Sequence, residues 1–165
     1  MVENDNIIAL ASPSGIGAIS LIRISGPESI QIVNNNFKGI ENISLINQEA
    51  NKVQLGYIVD NTNVIDKVLV TVFRNPKSYT GEDLVEISCH GSMFIQQSII
   101  QLLLEENCRI ANAGEFTMRS FLNGKMDLNQ AEAVADLISS ENEGAHRLAI
   151  QQMKKEFSSD LKKLR

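Results

Sequence analysis

Tryptophan is absent from the 165 residues, and only two cysteines, two histidines and three prolines occur. With two Tyr and six Phe as the only aromatics, a core has to be built from Ile, Leu, Val and Ala. Cys89 and Cys108 form neither a CxxC pair nor a secretory disulfide framework, so both are expected to be buried, reduced thiols. No uninterrupted apolar run reaches the roughly 18 residues that a membrane-spanning helix needs. Met1-Val2-Glu3-Asn4-Asp5 lacks the basic start and apolar stretch of a signal peptide, which makes the cytoplasm the expected compartment. Positive charge is also short. The net charge is −5, against the clustered Lys and Arg that nucleic-acid binding by this chain alone would require. Residues 141–165 carry six basic and four acidic side chains, leaving −7 on residues 1–140; an acidic front and a mildly basic tail suggest two units.

What is present suits a globular domain, with 43% hydrophobic residues and enough length for one domain plus a helical extension. Residues 7–11 and 18–24 read as strands joined by the turn-forming Ser12-Pro13-Ser14-Gly15-Ile16-Gly17. A short helix follows Ser25-Gly26-Pro27-Glu28, with Ile30 and Val33 on one face, and the Asn-rich stretch 34–51 reads as loop. Val53–Val59 and Val64–Phe73 form a hairpin around Asp60-Asn61-Thr62-Asn63, and Val68, Val70 and Val72 alternate with Lys67, Leu69 and Thr71. A polar loop, residues 75–83, feeds a strand at Leu84–Cys89. Helices are expected from about Met93 to Glu105 and from Ala113 to Leu122, with a short strand at Cys108–Ile110. Strands and helices without a regular βαβ rhythm indicate an α+β domain with a mixed sheet.

From Asn129 onward the pattern is purely helical: Ala131, Val134, Ala135 and Ile138 form one stripe, and Ile150, Met153, Phe157, Leu161 and Leu164 a second. The second stripe reaches the last residues without a Gly cap or Pro stop, so the chain reads as a fragment divided into a domain at 1–122 and the first helices of a truncated helical domain at 123–165.

Several motif readings fail. Gly15-Ile16-Gly17 precedes a strand rather than opening a helix, and the third glycine of a dinucleotide fingerprint falls on Ser20. Gly124-Lys125 resembles the end of a P-loop, but the first glycine falls on Arg119 and position 126 is Met, so no nucleotide triphosphate site is expected in these residues. His90 and His146 have no ligands at metal spacing, and no nucleophile elbow is visible.

Three polar positions stand out. Arg23 interrupts the apolar strand Ile22-Arg23-Ile24, Glu86 interrupts Leu84-Val85-Glu86-Ile87, and Lys125 lies at the junction with the helices. Each alone reads as a solvated strand face or a simple ion pair. Together they supply one carboxylate acceptor and two cationic donors, a set suited to a flat polar heterocycle with carboxylate tails.

Blocks spread along nearly the whole chain resemble the N-terminal region of the MnmE/TrmE family of tRNA-modification GTPases. They are Asp5-Asn6-Ile7-Ile8-Ala9-Leu10-Ala11-Ser12-Pro13, Ile22-Arg23-Ile24-Ser25-Gly26, the run from Ser78 to Glu86, Cys89-His90-Gly91, and the long run from Gly114 to Ala133. The resemblance implies a domain that binds a reduced folate, 5-formyltetrahydrofolate or methylenetetrahydrofolate, and pairs two protomers as a homodimer. It also implies that a helical domain follows, interrupted by a Ras-like G domain that binds GTP and Mg²⁺ and hydrolyses GTP in a K⁺-dependent manner. The family works with an FAD-dependent partner, MnmG, on the wobble uridine of certain tRNAs, with the folate as one-carbon donor in carboxymethylaminomethyl modification. The family's folate-contacting Arg, Glu and Lys fall on Arg23, Glu86 and Lys125. Glu86 is then expected to accept paired hydrogen bonds from the pterin, with Arg23 and Lys125 facing the ring carbonyl or the glutamate tail in either order. The sequence departs from the family at Ile16, where Arg is frequent, at Ala113, where Pro is common, and at Ser92, where a second Gly is common. The alternatives are an aminomethyltransferase-like folate module and a dimerisation module without a ligand.

Overall fold

Strict alternation at residues 67–72 demands a strand with two unlike faces. In the computed structural model, which describes residues 5–40 and 43–154, that strand is β5 (Asn63–Phe73), antiparallel to β4 (Val53–Asp60). The turn between them holds Asn61 at φ 53°, a left-handed conformation that Asn tolerates well. The remaining strands are β1 (Asn6–Leu10), β2 (Ile19–Ser25), β3 (Phe37–Gly39), β6 (Leu84–His90) and β7 (Cys108–Ile110). They form one seven-stranded sheet in the order β3-β4-β5-β6-β2-β1-β7, antiparallel throughout except for the parallel β1–β7 pair at its edge. The sheet is mixed and the domain is α+β, as expected.

One face carries Ile22, Ile24, Val68, Val70, Val72, Val85 and Ile87, packed with Ile30 and Val33 of α1 (Ser29–Asn35) and Ile99 and Leu103 of α2 (Met93–Leu104). Each of these side chains is removed from water, and each contributes about 1.5–3 kcal/mol to folding. On the opposite face, one end lies beneath the loop of residues 74–83 and α3 (Glu115–Leu122), where Ile7, Ser25 and Leu84 are buried.

Residues 34–51, expected to be loop, contribute to the core. Phe37 in β3 and Leu45 in a single 3₁₀ turn at Leu45–Asn47 are both buried, and the Asn34 carboxamide accepts from Ser44 Oγ and the Leu45 amide, each at 2.9 Å. Phe37 follows three asparagines and Leu45 sits in the short run Ile43-Ser44-Leu45-Ile46, so neither belongs to a sustained periodic pattern, and only the completed fold gives them partners.

Past the turn at 123–127, α4 (Leu128–Ser139) starts at a capping box in which Asp127 accepts from the Gln130 amide and Gln130 reaches back to the Asp127 amide. It pairs with α5 (Glu143–Met153) through Ala133 and Ala149, both buried. The expected α4 stripe is therefore rotated: Ala135 and Ile138 face outward, Ile138 at 83% exposure. Small residues win the contact because they let two helices approach closely. Of the second stripe, Ile150 and Met153 are half-buried, while Phe157, Leu161 and Leu164 lie outside the described residues.

Candidate functional site

Because Ile22 and Ile24 point into the core, Arg23 between them must project from the other face of the sheet, and Glu86 does the same between Val85 and Ile87. β2 and β6 are neighbours, and their register sets Arg23 directly opposite Glu86; Thr71 of β5 is the next residue in the row. Arg23 donates from Nε and Nη2 to the same Glu86 oxygen, Oε1, at 3.0 and 2.7 Å. Among the described residues nothing donates to Glu86 Oε2. The two side chains are 23% and 22% exposed, so the pair is open on one side only.

Aromatic rings flank the guanidinium. The Tyr79 ring centroid lies 5.1 Å from Arg23 Cζ and the Phe116 centroid 5.6 Å, within cation–π range. Tyr79 belongs to the 74–83 loop and Phe116 to α3, and the Tyr79 hydroxyl meets Thr117 Oγ1 at 2.9 Å. Next to the pair the same face continues with Leu21 and Ser88, both half-buried, and Leu69, which is exposed, so the sheet is partly uncovered there.

The loop is held in place from several directions. Ser25 Oγ pairs with Thr80 Oγ1 at 2.7 Å and donates to Glu82 at 2.8 Å. Ser120 Oγ donates to the Tyr79 carbonyl and Asn123 Nδ2 to the Thr80 carbonyl, each at 2.7 Å. Gly81, at φ 78°, is required: a Cβ there would stand 3.0 Å from Asn123 Cβ and 3.1 Å from Lys125 Cγ. Lys125 lies over this glycine and donates from Nζ to the Pro76 carbonyl at 2.8 Å. The structure thus brings Arg23 and Glu86 together and sets Lys125 on the exposed side of the same loop, bonded to neither.

Behind the loop lies an ion network. Arg119, 2% exposed, donates to Asp5 Oδ1 at 2.5 Å, to both Glu82 oxygens at 3.3 Å and to Glu115 at 3.1 Å, and Arg109 also clasps Asp5 and Glu115. Hydrogen bonding from Arg109 is the main reason that the Glu115 carboxyl is held down at about 2, against the upward pull of burial. At Asp5 burial also pushes upward, but hydrogen bonds from Arg119 and Arg109 together outweigh it and the carboxyl titrates low. Burial raises both free thiols, Cys89 and Cys108, to about 11.

The sequence reading missed Tyr79, Phe116, Glu82 and Arg119. All four fall in its longest matching runs, and Tyr79 is one of only two tyrosines. Elsewhere, His90 Nδ1 lies 2.7 Å from Asp66 Oδ1, and no group of three or more His, Cys, Asp or Glu among the described residues is placed to hold a metal. A groove of about 330 Å³ between α4 and α5 is lined by Asn129, Glu132, Asp136, Leu148, Gln151 and Gln152. Its two carboxylates and lack of any cation make it a poor receptor for an anionic ligand, and the Arg23–Glu86 pair has the better chemistry.

Residues 6–125 match the family model described as the GTP-binding protein TrmE N-terminus. Across all 165 residues the chain is 61% identical to a tRNA modification GTPase MnmE of Flavobacterium johnsoniae, and 57% identical to those of Flavobacterium psychrophilum and Christiangramia forsetii. It spans 35–36% of the length of these relatives.

Proposed function

The chain belongs to the TrmE N-terminal family, and from that premise we propose that it binds a reduced folate at the Arg23–Glu86 pair and joins two protomers of a tRNA-modification GTPase. The observation that carries this reading is the Glu86 carboxylate: one oxygen is held by Arg23, the other is free of described partners, and two aromatic rings stand alongside. A pterin has the matching parts, a flat ring for the aromatic surroundings and a pair of N–H donors for a carboxylate. Lys125, exposed at the rim, suits the glutamate tail. 5-Formyltetrahydrofolate or methylenetetrahydrofolate would supply the one-carbon unit; the residues here bind and orient it.

Dimerisation finds support in the open part of the sheet face. Ile19 and Val53, 71% and 60% exposed, stand out there with Leu55 and Leu69, an apolar surface that a solvated monomer rarely keeps. The same patch favours the second reading, a dimerisation module with no ligand. In the whole protein, residues 1–122 would form the folate and dimer domain and 123–165 the start of a helical domain. GTP, Mg²⁺ and K⁺ would belong to a G domain in the length of the relatives that this chain does not span. The MnmG-type FAD protein and tRNA would engage the assembled protein in the cytoplasm, for carboxymethylaminomethyl modification of the wobble uridine.

Calorimetric titration of the chain with 5-formyltetrahydrofolate, beside Glu86→Gln and Glu86→Ala, tests the reading. Saturable binding that both substitutions abolish supports it. A folded wild-type chain that gives no heat, yet sediments as a dimer, leaves the ligand-free module.

A further inference from the structure

Of the sixteen asparagines, Asn123 alone precedes a glycine, and the fold requires that glycine. α3 ends in a Schellman turn, in which the Gly124 amide donates to the Phe121 carbonyl at 3.0 Å and the Lys125 amide to the Ser120 carbonyl at 2.9 Å. Gly124 holds φ at 67°, the left-handed conformation, while a Cβ there would meet nothing within 4 Å. Backbone conformation rather than crowding therefore selects glycine. Asn123 has a duty of its own. From an exposed position at the end of the helix, its Nδ2 donates to the Thr80 carbonyl at 2.7 Å and so ties down the loop of residues 74–83. Ser120 Oγ ties the same loop at the Tyr79 carbonyl, and Lys125 Nζ at the Pro76 carbonyl.

Before a glycine, the next backbone nitrogen reaches an asparagine side-chain carbon most easily, because no Cβ stands in the way. Gly124 N gives its proton to solvent base and bonds to Asn123 Cγ, the Cγ–Nδ2 bond breaks, and ammonia leaves. The five-membered imide takes up one water and opens at either carbonyl, to aspartate or to isoaspartate. One water is exchanged for one ammonia, with no change of oxidation state. In the closed fold both reacting groups are engaged, the Gly124 N–H by Phe121 and the Asn123 amide by Thr80.

We propose that Asn123 is a deamidation site gated by the loop: it converts only from the opened turn, and its conversion unfastens the loop. A carboxylate has no proton to donate to the Thr80 carbonyl and sets a negative oxygen against it. Isoaspartate also adds a methylene to the main chain between positions 123 and 124. That shifts the two Schellman hydrogen bonds out of register and carries Lys125 away from Pro76. Tyr79 rides on this loop over Arg23, so an aged chain loses one wall of the candidate pocket. The site stands whether or not a folate binds.

The test is timed incubation of the chain at pH 8, with peptide mapping of position 123 by mass spectrometry. Conversion should run at least about tenfold faster in urea than in the native chain, since only opened molecules react. Ser120→Ala cuts a neighbouring tie without touching either reacting group. It should speed native conversion about fivefold, the worth of one hydrogen bond. No conversion in urea overturns the site itself. Equal rates in the folded and unfolded chains, or a native rate that Ser120→Ala leaves unchanged, overturn the gate. The consequence is read by hydrogen exchange on peptides covering residues 76–83, where Asn123→Asp should exchange about tenfold faster than the wild type. Converted wild-type chain, separated by ion exchange, provides the same comparison without a variant. Exchange equal to that of the fresh chain in either sample overturns the claim that conversion unfastens the loop.

Discussion

Asp5 and Arg119 stand 114 positions apart in the sequence and 2.5 Å apart in the fold, where the guanidinium closes on the carboxylate just ahead of the first strand. This contact ties the start of the sheet to α3, and through Glu82 to the loop that carries Tyr79 over Arg23. The candidate pocket is thus backed by a charged framework rather than by apolar packing alone.

Removing Arg119 leaves Glu82 without its cation, and leaves Asp5 and the buried Glu115 carboxylate with Arg109 alone. Arg119→Met is expected to cost about 3–5 kcal/mol of stability, since it breaks a buried ion pair from one side. Urea denaturation followed by circular dichroism measures it; a loss within about 0.5 kcal/mol would mean that the network is not structural.

Acid should act through the same network. Glu115 titrates at about 2 in the folded chain against an ordinary 4.5, so it binds its proton more weakly folded than unfolded. Its stabilisation is therefore complete above about pH 4.5 and disappears as pH falls toward about 2, and the lowered Asp5 carboxyl adds a loss of the same sign. Urea midpoints between pH 7 and pH 3 should drop for the wild type and drop less steeply for Glu115→Gln. Equal slopes for the two would contradict the assignment.

Cys89 and Cys108, both raised to about 11, hold almost no thiolate at pH 8. Neither should react appreciably with a disulfide reagent such as DTNB in the native chain over minutes, and both should react at once in urea. Fast native labelling of either would show that its surroundings open readily.

Lys125 sits exposed over Gly81 and meets Pro76 rather than Glu86. Lys125→Ala is expected to weaken tetrahydrofolate by no more than about fivefold, with the effect fading in salt, because an exposed ion pair is worth at most about 1 kcal/mol. A tail-less tetrahydropterin should bind the variant as it binds the wild type. A loss as large as that from Glu86→Ala would place the ammonium on the pterin instead.

The strands were legible because each carries alternation or a compact apolar run between turn residues, and Arg23 and Glu86 were legible because each breaks such a run. Their adjacency was not, since it depends on β2 and β6 pairing across 63 positions. Phe37 and Leu45 were hidden in a stretch with no sustained period, and the α4 contact through Ala133 was hidden because periodicity gives weight to large residues such as Ile138. The rings beside Arg23 come from a loop and a helix far from it in sequence, so only tertiary structure could supply them.

The most direct test is a crystal structure of this chain with 5-formyltetrahydrofolate. The account predicts the pterin lying flat on the sheet face, its 2-amino group and N3–H on the Glu86 oxygens and its ring carbonyl on the Arg23 guanidinium. Folate bound in the α4–α5 groove, or anywhere that leaves both Arg23–Glu86 hydrogen bonds unchanged, would contradict it.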